Sequence, residues 1–214
     1  MKTSISRKIL LVLGLGLSWV LLSGCIPSLY PLYNEADLIY EPGLEGNWLS
    51  ADSSQIWTFS QKTQVVYSGS YLGTSTDSVS QKYYHLVISQ IKEGTITDTL
   101  EARLGKLGNQ YYLDLTPDIE ALNLNKEGIT ALHLIPGHTF YPMDWDGENQ
   151  FKLYALNPDV LEKGIKDKKY SLKLEEIDSR PLLMSPTGQL QKFILAHGRD
   201  TTLFPPSDSF YKIP

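Results

Sequence analysis

Four histidines, one cysteine and a scatter of carboxylates are the groups in this 214-residue chain whose chemistry goes beyond packing. His133 and His138 stand five positions apart, with Asp144, Asp146 and Glu148 downstream. Imidazole and carboxylate together suit several divalent ions, so these two histidines are the candidate metal ligands. On a strand, positions five apart face opposite ways, so both ligate one ion only if Pro136-Gly137 bends the chain between them. The plainer alternative is a hydrogen-bonded histidine beside a solvated acidic loop. His197 falls on the apolar side of a predicted helix and is expected as a half-buried core residue. Nucleophilic chemistry finds less support. There is no G-x-S-x-G elbow, and Ser68-Gly69-Ser70 sits within a predicted strand. Glu175 and Glu176 occupy alternating faces of a strand, so only one can point inward. Asp114, between Leu113 and Leu115, is expected on the solvent face; turned inward it would be a buried charge and a functional candidate. Without a nucleophile–base pair the reading is non-enzymatic and implies no cofactor.

Cys25 is the single cysteine, and it ends a leader. Lys2, Arg7 and Lys8 make a positive start, Ile9 to Leu22 is apolar apart from Gly14, Gly16 and Ser18, and Leu22-Ser23-Gly24-Cys25 has the form of a lipobox. Cleavage before the cysteine would remove 1–24, and acylation of Cys25 would follow. The apolar run is short for a spanning helix, which needs roughly 20 residues, and small residues rather than a charge cluster close it. Two or three acyl chains anchor stably where one would not. Ile26 rather than aspartate follows the cysteine, and the first acid is Glu35. The outer membrane, with the domain facing the periplasm, is therefore the expected address.

Three of the 19 basic residues and none of the 24 acids lie in the leader, so the remainder carries 16 basic residues against 24 acids. An acidic domain with no basic stripe is not built for nucleic acid. Anionic lipid should repel it as a whole, which leaves attachment to the acyl chains. Residues 25–44 read as a tether or N-terminal extension: Pro27, Pro31 and Pro42 forbid regular structure, while Leu29, Tyr30, Leu32, Tyr33, Leu38, Ile39 and Tyr40 are too apolar for a free linker. Docking against the following domain, 45–214, is expected.

That domain reads as mainly β. Trp57 and Phe59, then Tyr84, Leu86 and Ile88, then Leu100, Ala102 and Leu104, then Tyr111, Leu113 and Leu115, each share one face of a period-two run. Tight turns at Glu93-Gly94, Gly108-Asn109 and Asp146-Gly147 punctuate them. The pattern predicts an antiparallel meander closing into a barrel or strongly curved sheet. Asn157-Pro158-Asp159 opens a short helix through about Lys168. Ser185-Pro186 opens a C-terminal amphipathic helix with Leu190, Phe193, Ile194 and His197 on one stripe and Gly198 at a left-handed cap. Tyr67, Tyr71, Tyr84 and Tyr111 lie in successive strands; inside a barrel they would line a site for a small hydrophobic or amphipathic ligand. Outside it, the tyrosines would form a face for another envelope protein.

Gly46-Asn47-Trp48 resembles the G-x-W start of lipocalins, some of which are outer-membrane lipoproteins. That resemblance implies that Trp48 closes the base of a barrel and that a later arginine covers it, although the chain shows no clear closing arginine. Pro27-Ser28-Leu29-Tyr30-Pro31-Leu32-Tyr33, Asp37-Leu38, Tyr112-Leu113-Asp114-Leu115 and Leu134-x-Pro136-x-His138 look like uncharacterised bacterial outer-membrane lipoproteins. The second likeness implies an address and a compact domain but no activity. Together these readings give a lipid-anchored protein that binds a small amphipathic ligand or, alternatively, serves as a scaffolding or assembly partner of an envelope complex.

Overall fold

The computed structural model describes residues 26–70, 73–119, 121, 136–177 and 179–214, with backbone alone for 63–70 and 73–81. Eight strands form a closed antiparallel barrel: β1 (Gly46–Ser50), β2 (Gln55–Ser70), β3 (Gly73–Gln90), β4 (Thr95–Leu107), β5 (Gln110–Pro117), β6 (Thr139–Trp145), β7 (Gln150–Tyr154) and β10 (Pro206–Ile213). Each pairs with its predecessor in the barrel, and β10 closes on β1 through Trp48 opposite Lys212. Between β7 and β10 the chain inserts α1 (Pro158–Lys166), a hairpin of β8 (Leu174–Ile177) and β9 (Arg180–Leu183), and α2 (Thr187–His197). The predicted alternation holds: Trp57, Phe59, Tyr84, Leu86, Ala102, Leu104, Leu113, Phe151 and Phe210 point inward and are buried. Thr58, Ser60, Glu101, Arg103 and Lys152 fall on the intervening, outward positions. An apolar inside and a polar outside is the reverse of a barrel that spans lipid.

Trp48 is fully buried where residues 42–44 form a 3-10 turn beneath the barrel. Its indole N–H donates to Leu44 O at 2.8 Å. The cation over its ring is a lysine: Lys212 Nζ lies 5.3 Å from the ring centroid and donates to Gly43 O.

Both helices start close to their signals. The Asn157 side chain caps α1 by accepting from Val160 N, with Pro158 at the first helical position. Ser185 does not cap α2; its hydroxyl accepts from Lys173 N at 2.7 Å. Gly198 is right-handed, φ −61°, not left-handed. Glycine is required there by space, because a Cβ would stand 2.7 Å from Ile194 O.

A second core lies outside the barrel. Leu107, Tyr112 and Phe140 on the outer wall pack against Leu161, Tyr170, Leu190, Phe193, Ile194, Leu203 and Phe204 from the insertion, and against Ile26 and Leu32. Residues 26–44 are thus a docked strap. Ser28 pairs with His138 on one side and Leu183 on the other, joining the barrel to the β8–β9 hairpin. Further on, Ile39 N donates to Leu104 O and Lys106 N to Asp37 O. There the strap takes the β4 edge beyond Ala102, where the β3 pairing ends.

Candidate functional site

Among the described residues, the densest polar chemistry is on the outer wall where the strap crosses β4 to β6. Asp114 points outward from β5 as alternation requires, yet it is fully buried because the strap covers it. One carboxylate oxygen accepts from Leu32 N at 2.9 Å, and the other lies 2.7 Å from His138 Nδ1. A carboxylate in that position orients the imidazole with its proton on Nδ1 and leaves Nε2 as the outer nitrogen. Tyr33 meets the His138 ring edge-on, centroids 6.2 Å apart. Burial lifts the Tyr33 phenol to about 12, with Arg103 opposing and Asp114 adding to the rise. Arg103 stands over the Tyr33 and Tyr83 rings, donates to Glu101 at 2.8 Å and to Thr116 at 3.3 Å. Lys62 extends the strip to Glu101 and Asp118, and His85 Nε2 lies 3.6 Å from Asp118.

An oriented histidine is half of a general-base or metal site, and the other half is not assembled among the described residues. The Ser28 hydroxyl donates to Tyr30 O and is committed to the strap's own turn. Asp144, Asp146 and Glu148 lie near or beyond the far end of β6 from His138, the nearest of them, Asp144, ~20 Å away at ~3.3 Å per strand residue. Asp146 organises the β6–β7 turn instead, accepting from the backbone N–H of Glu148, Asn149 and Gln150; the Glu148 bond, first among these, lowers its pKa. Asp144 accepts from the Tyr154 hydroxyl at 2.6 Å, which raises that phenol to about 12. His133 lies outside the described residues. What Asp114 and His138 do visibly is fasten the strap, alongside Thr187 and Gln191 of α2, which donate to Pro31 O and Leu32 O.

Of the tyrosines expected to line a cavity, Tyr84 is inside the barrel but is part of its packing. It is fully buried, its hydroxyl accepts from Glu41 N and donates to Glu41 O, and its ring stacks on Tyr40. Burial drives its pKa far above the ordinary phenol value. Tyr111 sits half-buried at the base, edge-on to Trp145 and beneath Lys106. Tyr67 lies on β2 with its side chain outside the described residues; Tyr71 and Cys25 lie outside them altogether.

Among the described residues, two open spaces lie on the exterior. A groove of about 900 Å³ separates α1 from the β8–β9 hairpin, with Lys163, Ile165, Lys166, Leu174 and Pro181 among its walls. A cleft of about 180 Å³ has Phe204 for an apolar side and Gln110, Asp144, Tyr154, Arg199 and Thr201 for polar ones. No family model, curated protein or solved structure matches this chain.

Proposed function

We propose that this protein is a lipid-anchored scaffold of the bacterial outer membrane, acylated at Cys25 and facing the periplasm, that serves as an assembly partner for other envelope proteins. The lipocalin likeness enters only as a barrel used as a solid post. The observation that carries this reading is the barrel interior: among the described residues it is filled by interlocked rings, Trp57 on Phe210 at 4.5 Å and Phe151 on both Trp48 and Phe210 at 4.8 Å. Where these rings interlock, side chains packed at van der Waals contact leave no room for a guest. The leader supplies the anchor, and the strap converts it from a loose leash into a mount.

A second reading, binding of a small amphipathic ligand, draws on the outer cleft, where the Phe204 ring meets Arg199 and Gln110. The two are separated by titrating the purified protein with an apolar fluorescent probe. Non-saturable, weak uptake is expected. Saturable uptake that Arg199→Ala abolishes would move the function to the cleft. The anchor is tested independently: Cys25→Ala should leave the precursor uncut and unlabelled by a fatty-acid analogue, and normal labelling would end the lipoprotein reading.

A further inference from the structure

We infer that the face made by α1 and the β8–β9 hairpin is the one that lies against the bilayer; this rests on acylation at Cys25. The chain has no slack after that residue. Ile26 is 3 % exposed and Ser28 fully buried, and Ser28 is bonded on both sides, to His138 and within the Leu183 register. Ile26 is thus a fixed point at the wall, and acyl chains carried by the residue bonded to it would leave the protein there. The pairing sets where. Ser28 and Leu183 run parallel, with Leu183 N donating to Pro27 O and Leu29 N to Leu183 O. Going back along both strands leads to Ile26 on one and Pro181 on the other, towards the start of β9 and the tip of its hairpin.

That tip and its neighbour have the chemistry of a membrane-facing surface. Ile177 is 49 % exposed at the end of β8, and Arg180 opens β9. Across the groove, which Pro181 and Ser179 also line, α1 presents Lys163 and Lys166, with Lys168 just beyond it. All three lysines are exposed, and none has an ion pair among the described residues. The other two lysines of the run are engaged: Lys173 with Glu175 at 3.3 Å, and Lys169 over the Tyr170 ring. Five lysines and one aspartate within 163–173 are the local exception in an acidic chain. The net negative charge makes the exception effective, since a phosphate-rich surface repels the other faces and attracts this one. Asp159, Glu162, Glu175 and Glu176 also border the groove, so the contact is the lysine-bearing end of α1 and the hairpin tip, with the groove behind them. The lysine stems reach headgroup phosphates while Ile177 enters the interface.

The test uses the full-length acylated protein in lipid nanodiscs. Because the single native cysteine carries the lipid, one added cysteine can be labelled alone. Ile177→Cys is compared with Ser60→Cys, an exposed position on β2, which stands across the barrel from β6. Brominated lipids should extinguish emission from a fluorophore at 177 and spare one at 60. Equal or reversed quenching in protein that remains with the nanodisc overturns the orientation, whereas protein that never joins the nanodisc overturns the anchor instead. Lys163→Glu/Lys166→Glu/Lys168→Glu should reduce quenching at 177 in anionic bilayers without releasing the protein. Undiminished quenching removes the lysines from the contact.

Discussion

The core inside the barrel and the core outside it are held to different standards. Inside, rings contact rings; the Trp48 indole and the Tyr84 hydroxyl, both fully buried, are bonded to the segment that closes the base, while the Trp145 indole N–H at the rim is buried without a partner among the described residues. Outside, the Tyr112 hydroxyl is buried with no partner among the described residues, and a carboxylate–imidazole pair sits under the strap. Tyr112 lies so close over Gly105 that a Cβ there would overlap its ring. The inner core is assembled mainly from neighbouring strands whose alternation places their side chains, with Leu44, Ile39 and Tyr40 added from the strap. The outer one is assembled from a strap, a hairpin and two helices that meet from distant parts of the chain. Pieces that share only isolated ladder pairs need specific polar fastenings as well.

The sharpest way to break this contrast is to damage one layer and watch both. The three tryptophans after the leader, at 48, 57 and 145, all belong to the inner core or its rim, while both helices belong to the outer layer, so fluorescence and the helical dichroism report separately. Phe193→Asp puts a charge into the outer core in place of a ring whose loss alone costs about 3–5 kcal/mol. Both signals should collapse together on thermal unfolding if the layers form one cooperative unit. A helical transition that precedes the fluorescence transition would show that the barrel stands alone. Trp48→Ala should cost about 3–5 kcal/mol in urea unfolding, and a loss under about 1 kcal/mol would empty the idea that this residue closes the base.

Smaller effects test the fastening. Asp114→Ala leaves the Leu32 N–H and His138 without their acceptor and should cost about 1–3 kcal/mol. It should also expose the strap to proteolysis while tryptophan emission stays native; protection equal to the parent would mean that the pair does not hold the strap. At the lower end, Tyr112→Phe removes a buried hydroxyl with no partner among the described residues, so stability should be unchanged or slightly raised. A measurable loss would reveal a partner for that oxygen.

These differences also mark what the sequence could disclose. Barrel strands were legible because Tyr84, Leu86 and Ile88, or Leu100, Ala102 and Leu104, repeat with the period of the pleat. The α1 start was legible because Asn157-Pro158 carries its own capping chemistry. Asp114 was misplaced into solvent because alternation gives the face and not what covers that face, and its partner Leu32 is 82 positions away. The β8–β9 hairpin was half legible: Glu175 and Glu176 were read on a strand, but its pairing with Arg180–Leu183 was not, because a four-residue strand bearing Pro181 lacks the usual strand composition. Lys212 escaped notice because an arginine was sought where an ammonium over the Trp48 ring suffices.

Barrel closure has a consequence in time. The first strand receives its second neighbour only when residues 206–213 exist, since Trp48 pairs with Lys212. Until residues 206–213 are free to pair, β1 presents a bare backbone edge, and so does the strand at the other side of the growing sheet. Both edges are templates for pairing with the wrong molecule. Contacts this far apart in sequence also form slowly, because a long loop must be ordered before they contribute anything. A polypeptide shortened by its last nine residues would keep nearly all its inward-facing rings and still have no barrel, only a curled sheet with two open sides.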